Sequence, residues 1–161
     1  MKYVSKMKIQ VIDYFVFCLV AVILLSSCSP KASRAIVGTW QIAHLKITMP
    51  SYKNSDSTQN IEVLGKDWEA KMKVKNILTT YAADGTYHSL HRNLQGKTTY
   101  DPAGRWQIIQ DTLIIQDTIP KRITYKFRFK IKKNQIEYWG VEDFDLDGKV
   151  DDQYYSRQVK L

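Results

Sequence analysis

The chain has 161 residues, the size of one domain. Charged residues make up 25% and apolar residues 44%, the balance of a globular chain and not of a disordered one. Aromatic residues reach 12%, with ten Tyr and four Trp, which argues against a helical bundle and for β-structure.

The first segment has the shape of an export signal. Lys2, Lys6 and Lys8 form a positive start. Val11 to Leu25 then run almost wholly apolar, broken only by Asp13. This run is shorter than the ~20 residues of a comfortable transmembrane helix, and small residues follow it at once. Leu25-Ser26-Ser27-Cys28 resembles the lipobox of bacterial lipoproteins. The resemblance implies a signal peptide over residues 1–27, cleavage before Cys28 and diacylglycerol on the Cys28 thiol. Cys18 falls in the discarded part, so the mature chain keeps one Cys and no internal disulfide, although an exported chain is allowed one. Diacylglycerol with an N-acyl chain holds a protein stably, since one chain alone is marginal and each buried CH₂ adds ~0.8 kcal/mol. The implied partner is therefore a membrane, reached through lipid and not by a span.

The full chain carries a net charge of +8. Without residues 1–27 it loses three of 24 basic and one of 16 acidic residues, which leaves +6. Six acids fall between Glu142 and Asp152, so the remainder is strongly basic. A basic surface suits anionic lipid heads or glycans, or is simply a solvated face. Nucleic acid is not an expected partner of an exported, lipid-anchored chain.

Residues 29–35 read as a polar tether, so that 28–35 form a lipidated linker and 36–161 the folded domain. Gly38 to Thr48 read as a first long strand ending near Pro50. Residues 51–60 are polar and form a loop. Residues 61–71, IEVLGKDWEAK, leave a short helix and a loop both open. Strands are then expected at 72–82, 86–94, 97–100, 105–110, 112–118, 121–132 and 135–142, with a last one from 150 to 161. Asp84-Gly85, Gln95-Gly96, Asp101-Pro102-Ala103-Gly104 and Lys133-Asn134 mark turns. The clearest strand is 121–132. There Ile123, Tyr125, Phe127, Phe129 and Ile131 alternate with polar residues, which puts one face on a core and the other in water. Short turns make neighbours antiparallel. A meander this long must close to protect its edges, which predicts an all-β, antiparallel up-and-down barrel of about eight strands.

Gly38-Thr39-Trp40, at the head of the first strand, resembles the Gly-x-Trp signature of lipocalins. The phrases ADGTY, GRWQI and DTLII resemble the small lipocalin-like lipoproteins of Bacteroidota. The resemblance covers residues 36–161. It implies that Trp40 plugs one end of the barrel, that Arg157 on the last strand packs over the indole, and that a small apolar ligand enters the other end. SPKAS, after Cys28, lacks the acidic run associated with surface export in that group. The expected address is the periplasmic face of the outer membrane, as a monomer.

The acidic loop offers a second constellation. Asp143, Asp145, Asp147, Gly148 and Asp151 match positions 1, 3, 5, 6 and 9 of an EF-hand-type Ca²⁺ loop, whereas position 12 is Tyr154 in place of a bidentate Glu. A weak Ca²⁺ site and a hairpin turn tipped by Asp147-Gly148 are both open. His88 and His91 sit three apart in a strand, hence on opposite faces, so no shared metal and no other cofactor is expected. Lys71, Lys73 and Lys75, like Lys126, Arg128, Lys130 and Lys132, read as outer faces of strands. No nucleophile elbow, phosphate loop or metalloprotease motif is present, and an enzyme is not expected. Two functions compete. A carrier predicts an apolar cavity of ~300 Å³ or more. A ligand-free envelope interaction module predicts a filled barrel with an exposed apolar patch.

Overall fold

The computed structural model describes residues 31–161, so the leader and Cys28 lie outside the described residues. A short helix, α1 (Lys31–Ile36), is followed by strand β1 (Gly38–Met49) and then β2 (Gln59–Leu64). A second short helix, α2 (Trp68–Met72), precedes β3 (Leu78–Tyr81), β4 (Thr86–Arg92) and β5 (Thr98–Tyr100). Strands β6 (Ala103–Ile109), β7 (Thr112–Ile119), β8 (Thr124–Lys132), β9 (Gln135–Glu142) and β10 (Asp152–Lys160) complete the chain.

Eight strands close into an antiparallel barrel in the order β1-β3-β4-β6-β7-β8-β9-β10, and β10 pairs back onto β1. The expected all-β barrel is therefore present. β1 is long enough to serve two partners on one edge: Gly38 to Gln41 pair with β3, and His44 to Met49 pair with β2. β5 is a flap paired only with the end of β4.

Several local expectations are corrected. Residues 31–35 of the supposed tether are helical, in a helix that ends at Ile36, which is wholly buried in the core. Residues 61–71 are neither plain helix nor plain loop: β2 takes the first part and α2 the last. The strand drawn at 72–82 is only Leu78–Tyr81. Lys71, Lys73 and Lys75 consequently share no strand face. Lys71 lies in α2, and Lys73 caps that helix in the left-handed region at φ 58°. Lys126, Arg128, Lys130 and Lys132 do form the outer face of β8.

β1 shows how the sequence keeps one face inside. Trp40 and Ile42 face inward, and so do Leu45, Ile47 and Met49, an apparent slip from even to odd positions. A bulge at Ala43, between Ile42 and His44, absorbs the slip. Without it, one of the two apolar sets would turn to water. Beside the bulge the Ile42 carbonyl accepts a hydrogen bond from buried Asn76 Nδ2 at 2.8 Å.

The tight turns at 82–85, 110–111 and 133–134 lie at the end where α1 enters. That end is packed solid by Ile36, Trp40, Trp106, Leu113 and Ile136. The opposite end carries residues 50–58, the β4–β5 hairpin, residues 120–123 and the acidic loop 143–151.

Candidate functional site: a half-filled barrel

Trp40 is packed into the closed end of the barrel. It is completely buried, and its indole Nε1 donates to the Ile36 carbonyl at 2.7 Å. The cation beside it, however, is Lys160. Lys160 sits directly opposite Trp40 in the β1–β10 ladder, with Nζ 5.3 Å from the indole centroid. The same ammonium donates to the Ala35 carbonyl at 3.2 Å. The last carbonyls of α1 therefore meet an indole N–H and a cation, the two partners a helix C-terminus favours. Gly38 is required here. Its φ of 134° belongs to glycine, and a Cβ would lie 2.5 Å from Lys160 Cε. Arg157 stands opposite His44 and Glu137 instead. It is three residues from Lys160, an odd step that turns it to the outer wall.

Above this floor the barrel is hollow. A cavity of about 230 Å³ opens toward the loop end. It is smaller than the ~300 Å³ expected of a carrier, because Trp40, Trp106 and several Tyr fill the lower half. Its walls are mostly apolar or aromatic, with Ile42, Ile77, Ile115, Phe127 and the rings of Tyr81, Tyr125, Tyr138 and Tyr154. Burial pushes the phenols of Tyr81, Tyr138 and Tyr154 above their ordinary pKa, and that of Tyr125 up to about 12, so all four are neutral donors.

A few polar groups converge on this space. On β3 and β4, Thr79 and Ser89 share a buried hydrogen bond of 3.1 Å, and Ser89 Oγ lies 3.4 Å from His91 Nε2. Burial lowers the His91 pKa, so its ring is neutral near pH 7. Two strands along, on β7, Asp117 is only 4% exposed, and its Oδ1 accepts a hydrogen bond from the Tyr87 hydroxyl of β4. The two residues reach each other because Gly104 lies between them: Tyr87 pairs with Gly104, and Gly104 with Asp117. The absent side chain lets the phenol cross the row. Tyr138 Oη and Gln158 Oε1 are buried without hydrogen-bond partners among the described residues.

Burial raises the Asp117 pKa to about 6. Its ordinary value is ~4. A carboxyl that holds its proton more tightly when folded favours folding below pH ~4, and that contribution is lost as pH rises through about 6. Asp117→Asn is therefore expected to raise the melting temperature relative to the parent at pH 8 and not at pH 4.5. Thermal melts at the two pH values check this, and equal shifts at both would show that the carboxylate bears no burial cost.

The acidic loop is knitted to itself and to the loop after β1. Asp143 accepts from the amides of Asp147 and Gly148 at 3.1 and 3.0 Å. Asp147 accepts from the Asn54 amide at 3.1 Å, and Asp151 from Ser51 Oγ at 3.0 Å. Asp152, 1% exposed, accepts from the amides of Phe144 and Asp145 at 2.6 and 3.2 Å. The carboxylates that share one point are Asp143, Asp145 and Asp152, whose oxygens lie within 4.8 Å of one another. Asp147 and Asp151, the other two residues of the Ca²⁺ pattern, bond the loop after β1 and stand outside that cluster. His88 faces outward onto Asp101, away from His91, as their spacing requires.

Sequence reasoning did not find Asp117. A signal was present: in TLIIQDTI, Leu113 and Ile115 point inward, and Asp117 is the next residue of that parity. A charged residue at an inward position is the informative exception to a strand pattern. No family model and no curated protein matches the chain. Among the described residues, no helix is long and apolar enough to cross a membrane.

Proposed function

We propose that this protein is a lipocalin-like lipoprotein, anchored through Cys28 to the periplasmic face of the outer membrane, that carries one small, largely apolar molecule in the open half of its barrel. The anchoring rests on the leader and on Leu25-Ser26-Ser27-Cys28. The carrier reading rests on one observation. The barrel is packed solid below Trp106 and hollow above it, with apolar walls and a small set of convergent polar groups. That is the general character of a small-molecule site. A barrel used only as a rigid docking body has no need of such a space, since an eight-stranded barrel can be filled by its own side chains.

Mass spectrometry tests both parts. Lys31–Leu161 form a compact unit by themselves that holds all ten described strands, so residues 28–161 are the piece to test. The intact chain taken from membranes is expected to show acyl mass on Cys28. Native spectra of residues 28–161 bearing Cys28→Ala are expected to show a bound small molecule. A bare chain that also binds no small apolar probe would leave the interaction module as the better reading.

A further inference from the structure

The electrostatics of the cavity point to a particular class of cargo. Among the described residues, no Lys or Arg lines it. Its one ionised wall residue near pH 7 is Asp117, which makes no ion pair among the described residues. Tyr87 occupies Asp117 Oδ1, and Oδ2 has no donor among the described residues. Gln158 Oε1, on β10, is a second acceptor left without a donor, on a side chain 6% exposed that also lines the cavity. The Tyr138 hydroxyl is also without a partner among the described residues and can donate to or accept from a guest, so the two open acceptors favour a guest that brings N–H groups.

The walls and the rim agree. Aromatic rings from β3, β4, β8, β9 and β10 surround the space, and their faces attract cations. Phe144, from the acidic loop, lines the cavity and stacks on Tyr154 at 5.3 Å, so the loop with six carboxylates from Glu142 to Asp152 stands at the mouth. Lys121 and Arg122 are also at that end, but both are exposed and neither reaches the wall. A carboxylate guest would meet an acidic loop at the entrance, where Lys149 pairs with Asp147, and a further carboxylate inside, where no described cation lines the wall. Like charges placed together in this way are strongly unfavourable.

On the carrier reading, we infer that the guest is a small primary amine, bound as an ammonium with its charge against Asp117 and an aromatic or short alkyl body among the tyrosine rings. Size sets the scale of that body. A cavity of ~150 Å³ accepts benzene, so one of about 230 Å³ takes a single ring with a short arm.

Calorimetric titration of residues 28–161 with three matched probes tests the inference: phenethylamine, phenethyl alcohol and hydrocinnamate, at pH 7.5. Phenethylamine is expected to bind about tenfold or more tightly than hydrocinnamate, with the alcohol between them. Asp117→Asn is expected to erase this ranking while the domain still melts cooperatively, and Tyr87→Phe, which keeps the carboxylate, is expected to retain it. Equal or tighter binding of hydrocinnamate to the parent overturns the inference without any variant. A ranking that survives Asp117→Asn also overturns it. If none of the probes binds although native spectra show a cargo, the amine assignment falls and the carrier stands; if there is no cargo either, both fall.

Discussion

Trp40→Ala is expected to remove a fifth or more of the domain's stability. The side chain is wholly buried among Ile36, Trp106, Leu113 and Ile136, and truncating a buried Trp costs about 3–5 kcal/mol. Domains are stable by only ~5–15 kcal/mol. The melting temperature should fall by about 10–20 °C for a chain of this size. Two further contacts go with the ring: the indole N–H to the Ile36 carbonyl, and the face that Lys160 covers. The identity of the covering cation is tested by double-mutant cycles. Lys160→Ala should couple to Trp40→Ala, because its ammonium joins the ring to the end of α1. Arg157→Ala, on the outer wall, should add to it without coupling. Denaturant unfolding of the three single and two double variants measures both terms, and coupling through Arg157 instead would refute this account of the plug.

How much of this was visible in the sequence depends on whether a feature is local. The alternation of Tyr125, Phe127, Phe129 and Ile131 is local, and β8 faces as it predicts. Short turns are local, and they made the antiparallel closure legible. Lys160 is different. Which cation covers Trp40 depends on the pairing of β10 with β1, and a shift of one residue changes the answer. Register is a long-range property, and the bulge at Ala43 hid it further by reversing the parity of β1 halfway along. The error at 61–71 has another cause. QNIEVL suits an edge strand and KDWEAKM suits a helix, so two short elements lie side by side in a stretch read as one. Each is too short for its own period to show.

The cavity was the least legible feature, because emptiness is a sum over strands far apart in sequence. The tyrosine content was in view from the start, but the same rings fill the lower half and line the upper half. Small Thr79 and Ser89 stand in the wall of the half that remains open. Gly104, which lies between Tyr87 and Asp117 in the ladder, was no more legible, because DPAG reads naturally as a turn. In the structure Gly104 lies within β6 and faces inward. Glycine in a strand marks a place where something must come close. Here what comes close is both a backbone and a functional pair.

Gly104→Ala should therefore disrupt the fold and the site together. A Cβ at this position would lie 1.9 Å from the Gln116 carbonyl oxygen and 3.0 Å from Asp117 Cα. These are backbone atoms of β7, which cannot rotate away as a side chain would. Relief requires β6 and β7 to separate where a register shift between Ala103 and Gly104 already interrupts their ladder. Overpacking typically costs about 1–3 kcal/mol, and a backbone clash belongs at or above the top of that range. The same methyl would stand in the row between Tyr87 and Asp117, so the phenol would lose its path to the carboxylate. Tyr87→Phe separates the two effects, because it removes the hydroxyl while leaving the strands in place. The expected order of stability is parent, Tyr87→Phe, then Gly104→Ala, read by denaturant unfolding. If Gly104→Ala lies within about 0.5 kcal/mol of the parent, the range of a neutral surface change, then β6 and β7 are not held as close as the geometry requires, and Asp117 is not fixed on the cavity wall by that approach.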